Sequence, residues 1–171
     1  MMEMLTGHAA SHQHPFNVFL HMIGIPAIMF GMLVPLTWVG TEVGGVSVNL
    51  AHLLIAGLVL CYLTLNTWFA LAFLVLALVL AYFAGVIGEK PPGVSATIAA
   101  ADFFGGYAAQ FVGHAVEKSM PVLVKHPVQA NLAAPLFQFV EVFKVLGLRD
   151  ELFDAVQRDI REQQEEGAAR L

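Results

Sequence analysis

From Val43 to Gly88 the chain carries no Asp, Glu, Lys or Arg, a run of 46 residues without a formal charge. A helix that crosses the hydrocarbon core needs about 20 apolar residues. A run of this length therefore predicts two spans, at about 49–66 and 68–88, turning around "TLNTW". An earlier apolar stretch, "FNVFLHMIGIPAIMFGMLVPLTWV", predicts a first span at about 16–39, kinked at Pro26 and Pro35. "EKPPG" (89–93) reads as a loop, and a fourth span follows at about 94–116. The fold class expected is all-α: a single integral-membrane domain over 1–171, built as a helical bundle of about four spans. Beyond it, residues 131–146 read as a partly buried interfacial helix. Residues 148–165 read as an amphipathic tail, with Leu148, Leu152, Phe153, Val156 and Ile160 on one face.

Only 12% of the 171 residues are charged, against about 25% in soluble domains. Much of the net charge of −5 sits in the tail, and no basic cluster suggests nucleic acid. The lone Cys61 lies in an apolar run and excludes an intramolecular disulfide framework. The first 89 residues contain no Lys or Arg, so no cleavable signal peptide is expected. Seven of the eight basic residues follow the fourth span. The positive-inside rule then places both termini in the cytoplasm, and the start of span one meets the end of span four at one membrane face.

Polar residues at that face stand out. "SHQHPFNVFLH" places His12, His14 and His21 at the mouth of span one, with Asn17 and His21 at i, i+4. In span four Asp102, Gly106, Gln110, Gly113, His114 and Glu117 form one stripe of polar and small residues. Ionisable groups inside a span face the bundle interior and usually mark a function. His114 and Glu117, at i, i+3, can reach one ion, the spacing used in di-metal bundles. The stripe glycines admit a neighbouring helix. Gln138 and Glu141 form a third i, i+3 pair.

Each feature also has a plainer reading. A membrane histidine can be a hydrogen-bonded core residue, and Glu117 can pair with Lys118 or Lys125. Asp102 and Glu141 can bond between helices. His52 falls at the opposite membrane face, and His126 lies in a loop on the same side as the cluster. The residues alone leave Zn, Fe, Cu and Ni open, with a 2-His-1-carboxylate set pointing to non-haem Fe(II) and dioxygen.

Three blocks carry a resemblance. "HQHPFNVFLHMIGIP" resembles an H-x-x-P-x-N-x-x-x-H-x-x-G-x-P opening, "AQFVGHAVEKSMPVL" a second block and "LAAPLFQFVEVF" a third, about 42 residues in order. Together they resemble the membrane 2-hydroxy-fatty-acid dioxygenases typified by the yeast enzyme that metabolises phytosphingosine to odd-numbered fatty acids. The resemblance implies Fe(II), dioxygen as co-substrate, and shortening of 2-hydroxy fatty acids by one carbon. It implies His12, His21 and His114 as metal ligands; the blocks do not fix His14, His52 or His126, and His126 and His52 stay further candidates on residue type alone. Asn17, Gln110 and Glu117 become the candidate catalytic residues, and Lys118 and Glu141 the candidates for the substrate head group. The family has Arg or Asn after the Lys of its second block, where this chain has Ser119. No substrate-carboxylate contact is carried over to that position.

The substrate would supply all the electrons, so neither 2-oxoglutarate nor a reductase is implied, and no dinucleotide fingerprint is visible. The expected partners are a lipid substrate and the membrane, with no obligatory protein partner. The expected location is the cytoplasmic membrane in a bacterium or the endoplasmic reticulum in a eukaryote. Two other readings remain open from the residues: a di-iron hydroxylase or desaturase, which needs more ligands than seven histidines offer on one side, and a transporter or structural membrane protein.

Overall fold

The structure, a computed structural model, describes residues 14–118 and, further on, 131–132, 134–135, 138–139 and 141–143. The chain divides into two units, Met1–His21 with Phe111–Leu171, and Met22–Gln110. The elements in order are α1 (Pro15–Thr37), β1 (Gly40–Val43), β2 (Val46–Asn49), α2 (Leu50–Leu65), α3 (Thr67–Gly88) and α4 (Pro92–Glu117).

Local chemistry sets these boundaries. His14 starts α1: its Nδ1 accepts from the Phe16 N–H at 3.2 Å and its carbonyl accepts from the Val18 N–H at 3.1 Å. Pro15 occupies the first helical position, where a missing N–H costs nothing. Pro26 and Pro35 lie inside α1, which runs through both. Asn66 separates α2 from α3 alone. Its N–H donates to the Tyr62 carbonyl at 2.9 Å, and its Oδ1 accepts from the Trp68 N–H at 3.0 Å and the Phe69 N–H at 3.4 Å. One side chain thus caps the helix it starts and lets the chain reverse.

Three boundaries differ from expectation. The stretch after α1 is an antiparallel hairpin, with Val43 opposite Val46 and Gly40 opposite Asn49. Its turn, Gly44-Gly45, has φ of 59° and 81°, and positive φ at both central residues is the two-residue hairpin turn that glycine favours. The "EKPPG" loop is shorter than expected, because Pro92 already forms the first turn of α4. Four spans are not all supported. α1 and α3, with 23 and 22 residues, are the described helices long and apolar enough to cross a membrane. α2 has 16 residues, about 24 Å at ~1.5 Å per residue, and α4 carries the polar stripe. The described residues of the expected interfacial helix are helical; the amphipathic tail, 148–165, lies outside the described residues.

Within the Met22–Gln110 unit α2 packs on α3. Ala70, Ala77 and Ala84, seven residues apart, are buried with Phe69 and Phe73, and Phe73 meets Tyr62 edge-to-face at 4.7 Å. Small residues at this period let backbones approach. The outer positions of α3 (Trp68, Val75, Leu78, Tyr82 and Phe83) are apolar and exposed.

In the same unit α1 and α4 touch backbone to backbone. A Cβ on Gly31 would lie 2.6 Å from the Ala99 carbonyl oxygen and 2.6 Å from the Phe103 nitrogen, and one on Gly106 would lie 2.7 Å from the Gly24 oxygen. A Cβ on Gly57 of α2 would meet nothing within 4 Å. Gly31→Ala is therefore expected to destabilise by about 1–3 kcal/mol, the usual range for overpacking. Gly57→Ala should be neutral or stabilising, since alanine gains helix propensity. Thermal unfolding of the two variants in one detergent checks the contrast; equal midpoints would refute the tight crossing.

Candidate functional site

The polar residues of the Met1–His21 and Phe111–Leu171 unit meet where the N-terminus of α1 lies beside the C-terminus of α4. Asn17, His21 and His114 are buried. The His21 and His114 rings stand edge-to-face, with centroids 5.1 Å apart and planes at 89°. Two imidazoles sharing an ion at about 2.1 Å per bond have ring centres roughly 5 Å apart, so this separation suits a common ligand. The His21 Nδ1 lies 3.0 Å from the Asn17 carbonyl oxygen. A carbonyl only accepts, so the ring proton sits on Nδ1 and the lone pair on Nε2. That tautomer is the one metal-binding histidines adopt when an outer partner holds the other nitrogen.

Glu117 binds the start of α1 with both oxygens. Oε1 accepts from the His14 backbone N–H at 3.0 Å, and Oε2 accepts from the Asn17 amide nitrogen. A carboxylate at a helix N-terminus also meets the positive end of the helix dipole. Gly113, one residue before His114, makes room for this arrangement. A Cβ there would run into the Asn17 side-chain amide and lie 3.2 Å from the Asn17 Cα. As expected of the stripe glycines, Gly113 admits a neighbouring helix, at Asn17; the sequence reading did not give His14 the roles of cap and donor. A signal exists in the spacing: Asn17, Gly24 and Gly31 recur every seven residues, as do Ala99, Gly106 and Gly113.

The remaining candidates fall elsewhere. Gln110 is half-buried on α4, its Cγ 3.4 Å from where a Cβ on Gly24 would stand. His52 is exposed at the start of α2 and completes a capping box with Asn49. Its N–H donates to Asn49 Oδ1, and its Nδ1 accepts from the Asn49 N–H, both at 3.2 Å. Lys118 is exposed and ends α4 with φ 57°. Gln138 is buried and Glu141 half-buried. His12, His126 and Ser119 lie outside the described residues. Among the described residues no three His, Cys, Asp or Glu side chains gather as a metal-ligating cluster.

A family model described as "2-hydroxy-palmitic acid dioxygenase Mpo1-like" matches residues 1–146. The chain belongs to the Mpo1-like family. No curated protein and no solved structure matches it. The described candidate residues, from His14 to Glu141, fall inside the matched region.

The capping role of His52 and the exposed position of His14 give a test of selectivity within the Mpo1-like chain. His52→Ala and His14→Ala are expected to keep turnover close to wild type, each at a stability cost of about 0.5–2 kcal/mol for a lost cap. Turnover and unfolding midpoint measured on the same preparations check this; loss of bound metal in His52→Ala would put His52 back among the ligands.

Proposed function

We propose that the protein is a multi-pass membrane dioxygenase that binds Fe(II) between the start of α1 and the end of α4. It shortens 2-hydroxy fatty acids by one carbon. The observation that carries this reading is the pairing of His21 with His114 at 5.1 Å, beside a carboxylate tied to α1, in a chain of the Mpo1-like family. His12, three positions before Pro15 in the sequence, is the third ligand in this reading, with His126 as an alternative.

In the reaction a 2-hydroxy acid, R–CH(OH)–COOH, and dioxygen give R–COOH, carbon dioxide and water. The bond between C1 and C2 breaks, C2 reaches the carboxylic acid level, C1 leaves as carbon dioxide, and dioxygen takes up all the electrons released. Fe(II), when bound, would supply a Lewis acid and redox centre for the 2-hydroxy acid and dioxygen, and His21 and His114 are the residues that would hold it. His21 and His114 hold that ion with neutral imidazoles, the lone pair of His21 fixed on Nε2 by the Asn17 carbonyl. Glu117 lowers the net charge around the ion and locks the N-terminal segment against α4. In this reading Lys118 and Glu141 are the candidates for the polar head of the substrate, and Gln110 stays a candidate catalytic residue. The exposed apolar side chains of α3 suit lipid, the phase in which the acyl chain of such a substrate partitions.

Dioxygen uptake by purified, Fe(II)-loaded protein in detergent tests the reading. Uptake is expected with 2-hydroxyhexadecanoic acid, without 2-oxoglutarate or a reduced nicotinamide. Hexadecanoic and 3-hydroxyhexadecanoic acids should be inert, since neither offers the adjacent hydroxyl and carboxylate. Uptake that needs an added reductant would instead indicate a hydroxylase.

A further inference from the structure

Asn17 is 0% exposed and joins three partners of the site. Its side-chain amide donates to Glu117 Oε2, its backbone carbonyl accepts from His21 Nδ1, and its Cα and side chain press on Gly113. Glu117 Oε1 meanwhile accepts from the His14 backbone N–H. Glu117 thus reaches His21 through Asn17, and both of its oxygens are engaged by α1. Each Glu117 oxygen faces an α1 donor, the geometry of a carboxylate that holds the start of α1 in position.

We propose that Glu117 and Asn17 are a matched positioning pair, rather than a metal ligand or an acid–base couple, and that the negative charge can be carried by either member. The activity readout rests on the dioxygenase reading above; the metal-binding readout does not. The chemistry of the exchange is specific. A glutamine at 117 keeps an Oε1 that accepts from the His14 N–H and gains an Nε2–H donor. An aspartate at 17 then accepts from that donor. The double exchange Asn17→Asp/Glu117→Gln preserves both hydrogen bonds, the side-chain volumes and the total charge. Asn17→Asp alone sets two carboxylates against each other. Glu117→Gln alone removes the negative charge and keeps the contact only if the Asn17 amide turns so that its Oδ1 accepts.

The test titrates Co(II) into metal-free protein, followed by its visible absorption, and measures kcat and KM for 2-hydroxyhexadecanoic acid on the Fe(II)-loaded form. Each single variant is expected to lose about 10–100-fold in Co(II) affinity, the usual cost of an outer-sphere partner. The double variant should recover about tenfold or more over either single, as coupled neighbours do. Its Co(II) spectrum and KM should match wild type. A double variant that folds but binds Co(II) no better than the worse single would overturn the proposal, because the carboxylate would then be needed at 117 itself. So would a double variant that fails to fold while both singles fold.

Gly113→Ala gives an independent arm. It changes no member of the network but drives a Cβ into Asn17. It should weaken Co(II) binding and alter the spectrum; wild-type affinity and spectrum would contradict the proposal. Wild-type protein that binds Co(II) yet takes up no dioxygen with the 2-hydroxy acid would refute the dioxygenase reading and leave the pair to be judged on Co(II) alone. Failed rescue in a protein that turns over would refute the pair and leave the reading standing.

Discussion

His21→Ala and His114→Ala are each expected to lower dioxygen uptake by more than about 100-fold, exceeding the 10–100-fold typical of losing an outer-sphere partner. The two rings are the buried imidazoles that meet at 5.1 Å. Removing either leaves one imidazole where the ion needs two. The variants should still insert and keep their helical content. α1 and α3 are apolar along their length, and the α2–α3 core of Phe69, Phe73 and Tyr62 lies in the Met22–Gln110 unit, while both histidines belong to the other. Iron content per chain and oxygen uptake, measured beside circular dichroism, separate loss of metal from loss of fold. Wild-type turnover in both variants would make the histidines structural.

Glu117→Gln is expected to reduce turnover by about 10–100-fold and to weaken iron retention, with insertion unchanged. The carboxylate is held by the His14 N–H and the Asn17 amide, and charge-assisted bonds of this kind are roughly twice as strong as neutral ones. Glutamine removes the charge, so the bond to the His14 N–H becomes neutral and the Asn17 amide must turn to present its Oδ1. Had Glu117 been only a surface partner of Lys118 or Lys125, the loss would be about 1 kcal/mol at most and iron content would stay normal. Bound iron per chain decides between these outcomes.

The difference between these two accounts of Glu117 shows where a single sequence runs out. Lys118 and Lys125 are close in the chain and suggest themselves, whereas Asn17 lies 100 positions away. Only the antiparallel register of α1 and α4 brings it near, and register depends on how Gly24, Gly31 and Gly106 let the backbones meet. The same limit applies to His52. An i, i+3 pair of Asn49 and His52 has the same spacing whether it caps a helix or ligates an ion. Its exposed position and the reciprocal bonds with Asn49 decide for the cap.

Other features were legible because one strong physical term dominates. The charge-free run gives α2 and α3, and Asn66 in "TLNTW" supplies the turn between them. His114 and Glu117 are legible as a pair because 3.6 residues per turn put them on one face. The Gly44-Gly45 hairpin was missed although Val-Gly-Gly-Val is a hairpin signal; its valines read equally as the approach to an apolar span. Of the four expected spans, α1 and α3 among the described helices are long and apolar enough to cross a membrane; absence of charge measures apolarity and not helix length, and α2 stops at 16 residues.

The central claim, cleavage between C1 and C2 of a 2-hydroxy acid at the His21–His114 site, is tested most directly by supplying 2-hydroxyhexadecanoic acid labelled with carbon-13 at C1. Purified Fe(II)-loaded protein should release the label as carbon dioxide, one per dioxygen consumed. The remaining acid should be one carbon shorter and unlabelled, and the label should stay in the substrate under argon or in His114→Ala. Label retained in a product of unshortened chain, with dioxygen consumed, would contradict the account.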